Sequence, residues 1–524
     1  MKMIFDLFRR NDNFWPKMKW QDWLVLGAGM ATFTALTVST LTKFSIWFDE
    51  AFGSYLVRFN FYELTRYTAF DVHPPLYYWL LKIWTMMFGN TEIGIRSMSV
   101  FFGVLTVVLV FLFVLRFFGR RAAYISLALM VLSPLFLRYS QEARMYTVLT
   151  TVIVLATYVL LYAQEHAKKR WPWMVYGILL AVGMLTQYFA ALAWLSHWVW
   201  RFITVWSKGD SWKEVKKKFF TREWVRAHML AIGIFLPWLP FLVWQFVIVQ
   251  GYGFWILPVN SATVPDFLTD VLLFTDSKGT LGWLAFGFYT ILILSVYMTI
   301  RLLKRLDGEK KKRYLLLLVM AVAPVVLLVV LSMPPLRSAF VDRYLMAAVI
   351  FLPLLWGVSV TYSSILSKYV RISLGIIVAL MMVVGISNQM ILGNYNKSTG
   401  QSNNVRELLQ TIRTKDSDAQ ILSNTPWIYY EAVIYEKPTS PIYFINETVT
   451  YEFGSLQMLE ENDYRKIKDL DSFTKINKSF WLIDNLRTSE PKPLRQSWKA
   501  QESIVINDEL SHQPLFKAVQ YTVK

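Results

Sequence analysis

The stretch "DVHPPLYYWLLKIWTMMFGN", residues 71–90, decides how this chain is threaded. An acid, a histidine and two prolines precede an apolar run, Leu76 to Phe88, which either crosses a membrane or lies upon one. A crossing helix needs ~20 apolar residues, and this run falls short. Pro74 and Pro75 disfavour helix before them and suit the first turn of a helix that starts there. The run therefore reads as a short surface helix.

The rest of the chain supports that choice. With 55% hydrophobic and 16% aromatic residues, the chain is expected to be a polytopic membrane protein. Candidate spans begin near Trp23, Ile93, Ala122, Met145, Pro172, Ala191, His228, Leu281, Tyr314, Leu345 and Ile372. If 76–88 also crossed, the loops "RFFGRR", "HAKKRW", "KEVKKKFFTREWVR" and "RLLKRLDGEKKKR" would lie opposite the basic N-terminus. That arrangement breaks the positive-inside rule four times. With 76–88 on the outer surface, all four loops fall on the cytoplasmic side. The expectation is thus about 11 spans, a large first outer loop carrying surface helices, and a C-terminal segment outside. The alternative is a short, tilted twelfth span.

The net charge of +18 does not indicate nucleic acid. From Gly393 onward there are 16 basic and 17 acidic residues, so the excess sits in the loops of the hydrophobic part. Such a distribution reports membrane topology. The absence of cysteine excludes disulfides and thiol chemistry, and the N-terminal segment does not read as a cleavable signal peptide. Composition changes at Gly393. "VRELLQTIR" reads as a helix, "AQILSN", "PIYFINE" and "SFWLIDNL" as strands, and "WIYYEAVIYE" as either. The expected division is a membrane domain, 1–392, and an extracytoplasmic soluble α/β domain, 393–524.

In this topology the charged groups near the bilayer collect at one depth. "FDEAF" places Asp49 and Glu50 at the exit of the first span, and Asp71 and His73 follow in the same loop. Arg96 opens the second span, and "RYSQEARMY" adds Glu142 and Arg144. Tyr188 in "TQYFAALAW" and Asp342, Arg343 and Tyr344 in "RSAFVDRYL" lie at further outer ends. Charges at a bilayer are costly, and most are functional or paired. Each motif alone has a plainer reading, such as a solvated acid pair, a helix start, a local ion pair or an interface anchor. Their shared side suggests one outward-facing polar cavity.

The run "FDEAF", "DVHPPLYYWLLKIW", "FGNTEIGIRSMS", "FGRRAAYISLALMVLSPLFLRYSQEARMYTV" and "TQYFAALAW" resembles the C-type membrane glycosyltransferases. It is similar to bacterial members like the dolichyl-phosphate-mannose protein mannosyltransferases and aminoarabinose transferases. The likeness covers residues 20–200 well and later spans loosely, with "DRYL" as the landmark there. The family's Arg-Leu-Pro pattern reads "IRSMS" here, keeping the arginine and losing the proline. The resemblance implies a catalytic acid after the first span, matched by Asp49, with Glu50 orienting acceptor or base. It implies a polyprenyl-phosphate sugar as donor, an inverting transfer to an acceptor hydroxyl, and no nucleotide or redox cofactor. A divalent metal at the acids is open, without a ligand set to support it. Arg96 and Arg343 suit the donor phosphate, because guanidinium binds phosphate oxygens bidentately. Asp71, His73, Glu142, Arg144, Tyr188, Asp342 and Tyr344 are expected to line the cavity, with Lys82 a weaker candidate. The acceptor is a glycan, lipid or protein. Two other readings are a secondary transporter, whose charges belong nearer the midplane within repeats, and a non-catalytic envelope scaffold.

Overall fold

The computed structural model describes residues 14–207, 209–252, 256–275, 282–362, 367–393, 402–445, 458–459, 465–486 and 490–523. The first helix, α1 (Trp20–Ser39), leads into a loop holding α2 (Phe48–Leu56), α3 (Phe61–Ala69) and α4 (Leu76–Phe88). Then come α5 (Glu92–Phe118), α6 (Arg120–Val131), α7 (Pro134–Tyr139), α8 (Tyr146–Glu165), α9 (Arg170–Thr186) and α10 (Ala190–Val205). They are followed by α11 (Trp212–Phe219), α12 (Arg222–Phe235), α13 (Leu239–Tyr252), α14 (Thr263–Leu273), α15 (Gly282–Arg305) and α16 (Gly308–Leu331). A 3-10 turn, Asp342–Leu345, feeds α17 (Met346–Tyr362), and α18 (Lys368–Leu392) completes the hydrophobic part.

Seven of these stretches are long and apolar enough to cross a membrane, among the described residues. They are α1, α5, α8, the continuous run of α12 and α13, α16, the 3-10 turn with α17, and α18. The expectation of about 11 spans is therefore met at seven places. The span expected near Ala122 is broken into α6 and α7 at Leu132–Ser133, where Pro134 cannot continue the preceding hydrogen-bond ladder. The spans expected near Pro172 and Ala191 are helices of 17 and 16 residues. The start expected at Leu281 lies outside the described residues, and α15 begins just after it.

Helix α4 has 13 residues, and at ~1.5 Å per residue it spans roughly 20 Å against a hydrocarbon core of ~30 Å. Side-chain bonds tie its middle and the residues just past its end to the same short stretch of loop. Lys82 Nζ donates to the Val57 carbonyl at 2.9 Å, just past the end of α2. Asn90, beyond the end of α4, exchanges hydrogen bonds of 2.9 Å with Ser54 of α2. A helix tied at two points to one loop lies beside that loop.

The middle of the bundle is α8, buried over almost its whole length and packed chiefly against α5 and α9, with α17 beside them. Two of its hydroxyls are matched across the bundle: Thr106 of α5 meets Thr150 and Thr151 of α8 at 3.0 and 2.9 Å. Hydroxyls so placed stay paired in a setting without water.

Past α18 the chain forms α19 (Val405–Lys415), β1 (Ile421–Ser423), α20 (Pro426–Val433), β2 (Ile442–Ile445), β3 (Lys466–Ile467) and α21 (Leu470–Ile476), followed by three longer strands. These are β4 (Ser479–Asn485), β5 (Trp498–Asn507) and β6 (Pro514–Val523). The sheet order is β3-β2-β1-β4-β6-β5. The first four strands run parallel, and β6 joins β4 and β5 antiparallel. Every helix and strand expected in this segment is present, and "WIYYEAVIYE" begins as the helix α20.

This segment is clasped to the first loop. Glu92, at the start of α5, accepts from both Arg406 of α19 (2.8 Å to each oxygen) and the Tyr435 hydroxyl (2.9 Å). Ser45 bonds to the Asn403 carbonyl through its amide at 2.8 Å and its hydroxyl at 2.6 Å. Aromatic rings fill the seam, with Phe48 against Trp427 at 4.1 Å and Tyr55 against Tyr430 at 4.9 Å.

Candidate active site

Asp49 and Glu50 sit in the first turn of α2, where the exposed N–H groups of a helix favour carboxylates. Neighbours on a helix diverge by roughly 100°, and that angle separates the two acids. Glu50 points inward and is buried. Its oxygens take 2.8 and 2.6 Å bonds from Nε and Nη2 of Arg96, and one also accepts from the Ala143 amide at 2.8 Å. Arg96 is equally buried, and its remaining N–H groups go to Glu92 and to the carbonyls of Leu41, Phe44 and Ser45. Arg96, expected at the donor phosphate, spends its donors holding the loop onto α5, and Glu50, expected to orient acceptor or base, is the partner that neutralises it.

Asp49 faces the other way, with its side chain 22% exposed. Arg343 Nη1 lies 3.3 Å from its Oδ2, and Arg144 Nη2 lies 3.8 Å from the same oxygen. Arg144 also donates to the Asp49 carbonyl at 3.1 Å and to the Tyr78 hydroxyl at 3.3 Å. Its Nη2 lies 3.1 Å from His73 Nε2, and His73 Nδ1 lies 3.0 Å from Asp71 Oδ2. A guanidinium can only donate, so Nε2 accepts and the proton sits on Nδ1, directed at Asp71. Burial and the facing Arg144 hold the imidazole below its ordinary range, against the pull of Asp71. The motif "DVHPP" thus steadies Arg144: its prolines start α4, and its acid and histidine reach back to the arginine.

Arg343 stands at the entry to α17, its guanidinium 5.8 Å from the rings of both Trp47 and Tyr344. Tyr344 stacks on Phe189 at 3.8 Å. Asp342 precedes it in the 3-10 turn and is half-buried. Glu142 is buried beside Arg138 at 3.1 Å, and burial raises its carboxyl above the ordinary range. Tyr188 is apart from the arginines. Its hydroxyl donates to Gln245 (2.6 Å) and accepts from Trp238 (2.7 Å), while Gln245 holds the carbonyls of Thr68 and Ala69. Tyr188 therefore fixes the end of α3, ahead of Asp71. Lys82, buried against the Val57 carbonyl, is a strut of the loop.

Asp49, Asp71, His73, Arg144, Arg343 and Tyr344 thus come together from α2, the loop before α4, the loop before α8 and the entry to α17. Trp47 and Tyr78 belong with them and were not singled out in the sequence, although each adjoins a motif that was. Among the described residues no group of three or more histidine or acidic side chains is placed to hold a metal ion.

Glu431 of α20 touches the start of the helix that carries Asp49. It is buried, bonded to the Asn403 side chain and to the backbone N–H of Phe48, the first residue of α2. Burial pushes its carboxyl up to about 8.

Residues 72–244 match the family model described as dolichyl-phosphate-mannose-protein mannosyltransferase. That stretch takes in His73, Arg96, Glu142, Arg144 and Tyr188 and leaves out Asp49 and Arg343. No curated protein sequence matches the chain. Among solved structures, ArnT from Cupriavidus metallidurans in the apo state is similar at 13% identity and a TM-score of 0.58, over 94% of this chain and 97% of that one. The same protein bound to undecaprenyl phosphate is similar at 13% identity and 0.55, over 95% and 98%. The Archaeoglobus fulgidus oligosaccharyltransferase tethered with an acceptor peptide is similar at 13% identity and 0.50, over 90% of this chain and 70% of that chain. The chain shares the fold of these structures, a polytopic helical bundle followed by a domain built on a sheet.

Proposed function

We propose that the chain is an inverting glycosyltransferase that moves a sugar from a polyprenyl-phosphate donor to an acceptor hydroxyl at the outer face of the membrane. The observation that carries this reading is Asp49, a partly exposed carboxylate within reach of two arginines from different elements. In the transfer, the acceptor hydroxyl gives its proton to Asp49 as its oxygen bonds to the anomeric carbon. The bond from that carbon to the phosphate oxygen breaks, and the electron pair leaves with the polyprenyl phosphate. Attack opposite the leaving group inverts the carbon. Arg343 and Arg144 take the developing phosphate charge, and as they turn to the phosphate Asp49 is freed from them. Contacts of 3.3 and 3.8 Å are loose for charge-assisted pairs, which suits an exchange of partners.

Asp71 and His73 position Arg144, and Glu142, Asp342 and Tyr344 shape the walls. The segment from Gly393 onward acts as a domain that holds the acceptor. We place the cavity and that domain outside because the basic loops gather at the opposite end. The topology we favour has eleven crossings, with α6 and α7 sharing one and α9, α10 and α15 completing the seven long ones. The likeness to a transferase structure carrying undecaprenyl phosphate supports a lipid-phosphate donor.

The test is turnover of purified protein in lipid with a panel of radiolabelled polyprenyl-phosphate sugars. Asp49→Asn keeps the shape and removes the base, so turnover falls ~10²–10⁴-fold while donor binding persists. Full turnover in that variant would remove Asp49 from the chemistry.

A further inference from the structure

Far from Asp49, at the end of the bundle where the basic loops gather, α9 and α12 start side by side and run parallel. They touch because residue 177 is glycine: a Cβ there would lie 2.4 Å from the Ala227 carbonyl oxygen. The close approach below leaves a cleft of about 210 Å³ above, between the first turns of the two helices. Arg170, Trp173 and Met174 line it from α9, and Glu223, Arg226 and Ala227 from α12.

Three properties of this cleft point to one kind of ligand. Both helices present uncapped N-termini. Lys169 makes no side-chain cap on α9, and Thr221 makes none on α12, its hydroxyl accepting from Arg201 instead. Two parallel N-termini add their partial positive charge at one spot. Next, the cleft is basic. Arg170 is exposed and makes no hydrogen bond or ion pair with the described residues, and Arg226 is held at the rim by Glu223 at 2.6 Å. Lys168 and Arg222 are exposed close by in sequence, so cations exceed the single carboxylate. Finally, the surface leading away from the cleft toward the membrane middle is apolar and exposed, with Met174 and Ile178 on α9 and Met229 and Ile232 on α12. The cleft has room for a phosphate head group but not for a whole lipid, and the chains would lie along that strip.

We propose that the α9–α12 cleft binds the phosphate of an anionic phospholipid from the leaflet on the side of the basic loops. Basic pockets between helices at that interface suit such head groups. The lipid would bridge Arg170 and Arg226 and so hold together two helices that no short loop connects.

The experiment is native mass spectrometry of the delipidated full chain in detergent, titrated with phosphatidylglycerol or with phosphatidylcholine. The wild type should retain phosphatidylglycerol in preference to phosphatidylcholine. The double variant Arg170→Gln/Arg226→Gln should bind phosphatidylglycerol about thirtyfold more weakly, which is ~2 kcal/mol for two cations near a charged surface. Lys213→Gln/Lys217→Gln on α11 removes the same charge on the same side and should cost less than threefold. Equal losses in the two variants would make the attraction diffuse and overturn the proposal. Equal retention of phosphatidylcholine would overturn it too. Displacement of the lipid by low-millimolar inorganic phosphate would assign the cleft to a soluble ligand instead. Both arginines are solvent-facing, and an unchanged melting midpoint without lipid checks that the variants fold.

Discussion

Glu431 links the C-terminal domain to the helix that carries Asp49, and its protonation should be readable in the strength of that link. The carboxyl titrates near 8 in the folded chain against an ordinary 4.5. The folded protein therefore keeps a proton that the opened state releases between those values. The contribution is fully present below about 4.5 and is lost as pH rises through about 8. At ~1.36 kcal/mol per tenfold, the full difference would be about 5 kcal/mol. Water entry and relaxation around an opened seam reduce that to roughly 2 kcal/mol, or about thirtyfold in the opening equilibrium. Hydrogen exchange reads this directly. Amides of Val405–Lys415 and Pro426–Val433, corrected for intrinsic rate, should exchange about thirtyfold faster at pH 8.5 than at pH 4. Glu431→Gln, which mimics the protonated acid, should flatten the dependence and protect the seam at pH 8.5. Parallel pH curves for wild type and Gln would show that this carboxyl does not control the contact, and the argument would fail.

Glu50→Ala leaves Arg96 buried without its main partner and should cost ~3–5 kcal/mol, seen as loss of folded protein on size exclusion, whereas Asp49→Asn purifies normally. Arg343→Lys keeps the charge but not the planar fork, so the KM for donor should rise about tenfold with a smaller change in kcat. Gly177→Val drives a side chain into the Ala227 carbonyl and should lower the melting midpoint by several degrees, as overpacking costs ~1–3 kcal/mol. His73 resists protonation, so the opened state takes up a proton more readily than the folded one. The Asp71–His73–Arg144 chain should therefore weaken as pH falls below about 6.5, and His73→Asn should remove that acid sensitivity from exchange in the 71–75 segment.

Length and proline chemistry at 71–90 were enough to set α4 apart from the long apolar helices, because a 13-residue helix is too short for the hydrocarbon thickness. The spans were less legible where tertiary packing overrides composition. Pro134 divides an apolar stretch that reads as one span, and α9 and α10 are shorter than the apolar stretches containing them. In the site, membrane depth put Asp49, Asp71, His73, Arg144 and Arg343 in one group, as their contacts do, but could not say which way each side chain points. Asp49 and Glu50 are adjacent letters with opposite surroundings, and only the helical turn separates them. Arg96 and Arg343 looked equivalent for the same reason, until the loop carbonyls around Arg96 were seen to use up its donors. Glu92 passed unnoticed because its partners Arg406 and Tyr435 lie more than three hundred residues away, beyond any local pattern.

The shared carboxylate of Glu92 also bears on building hybrids of such proteins. One side chain receives Arg96 from the helical bundle and Arg406 and Tyr435 from the C-terminal part. A C-terminal domain grafted from a relative would arrive with its own clasp, and a mismatch there would leave Glu92 underpaired beside Arg96 and Glu50. Since Glu50 starts the same helix turn as Asp49, the fault would be transmitted to the reaction centre as misalignment, even with every site residue retained. A graft in which Arg406 and Tyr435 are kept would leave that alignment undisturbed.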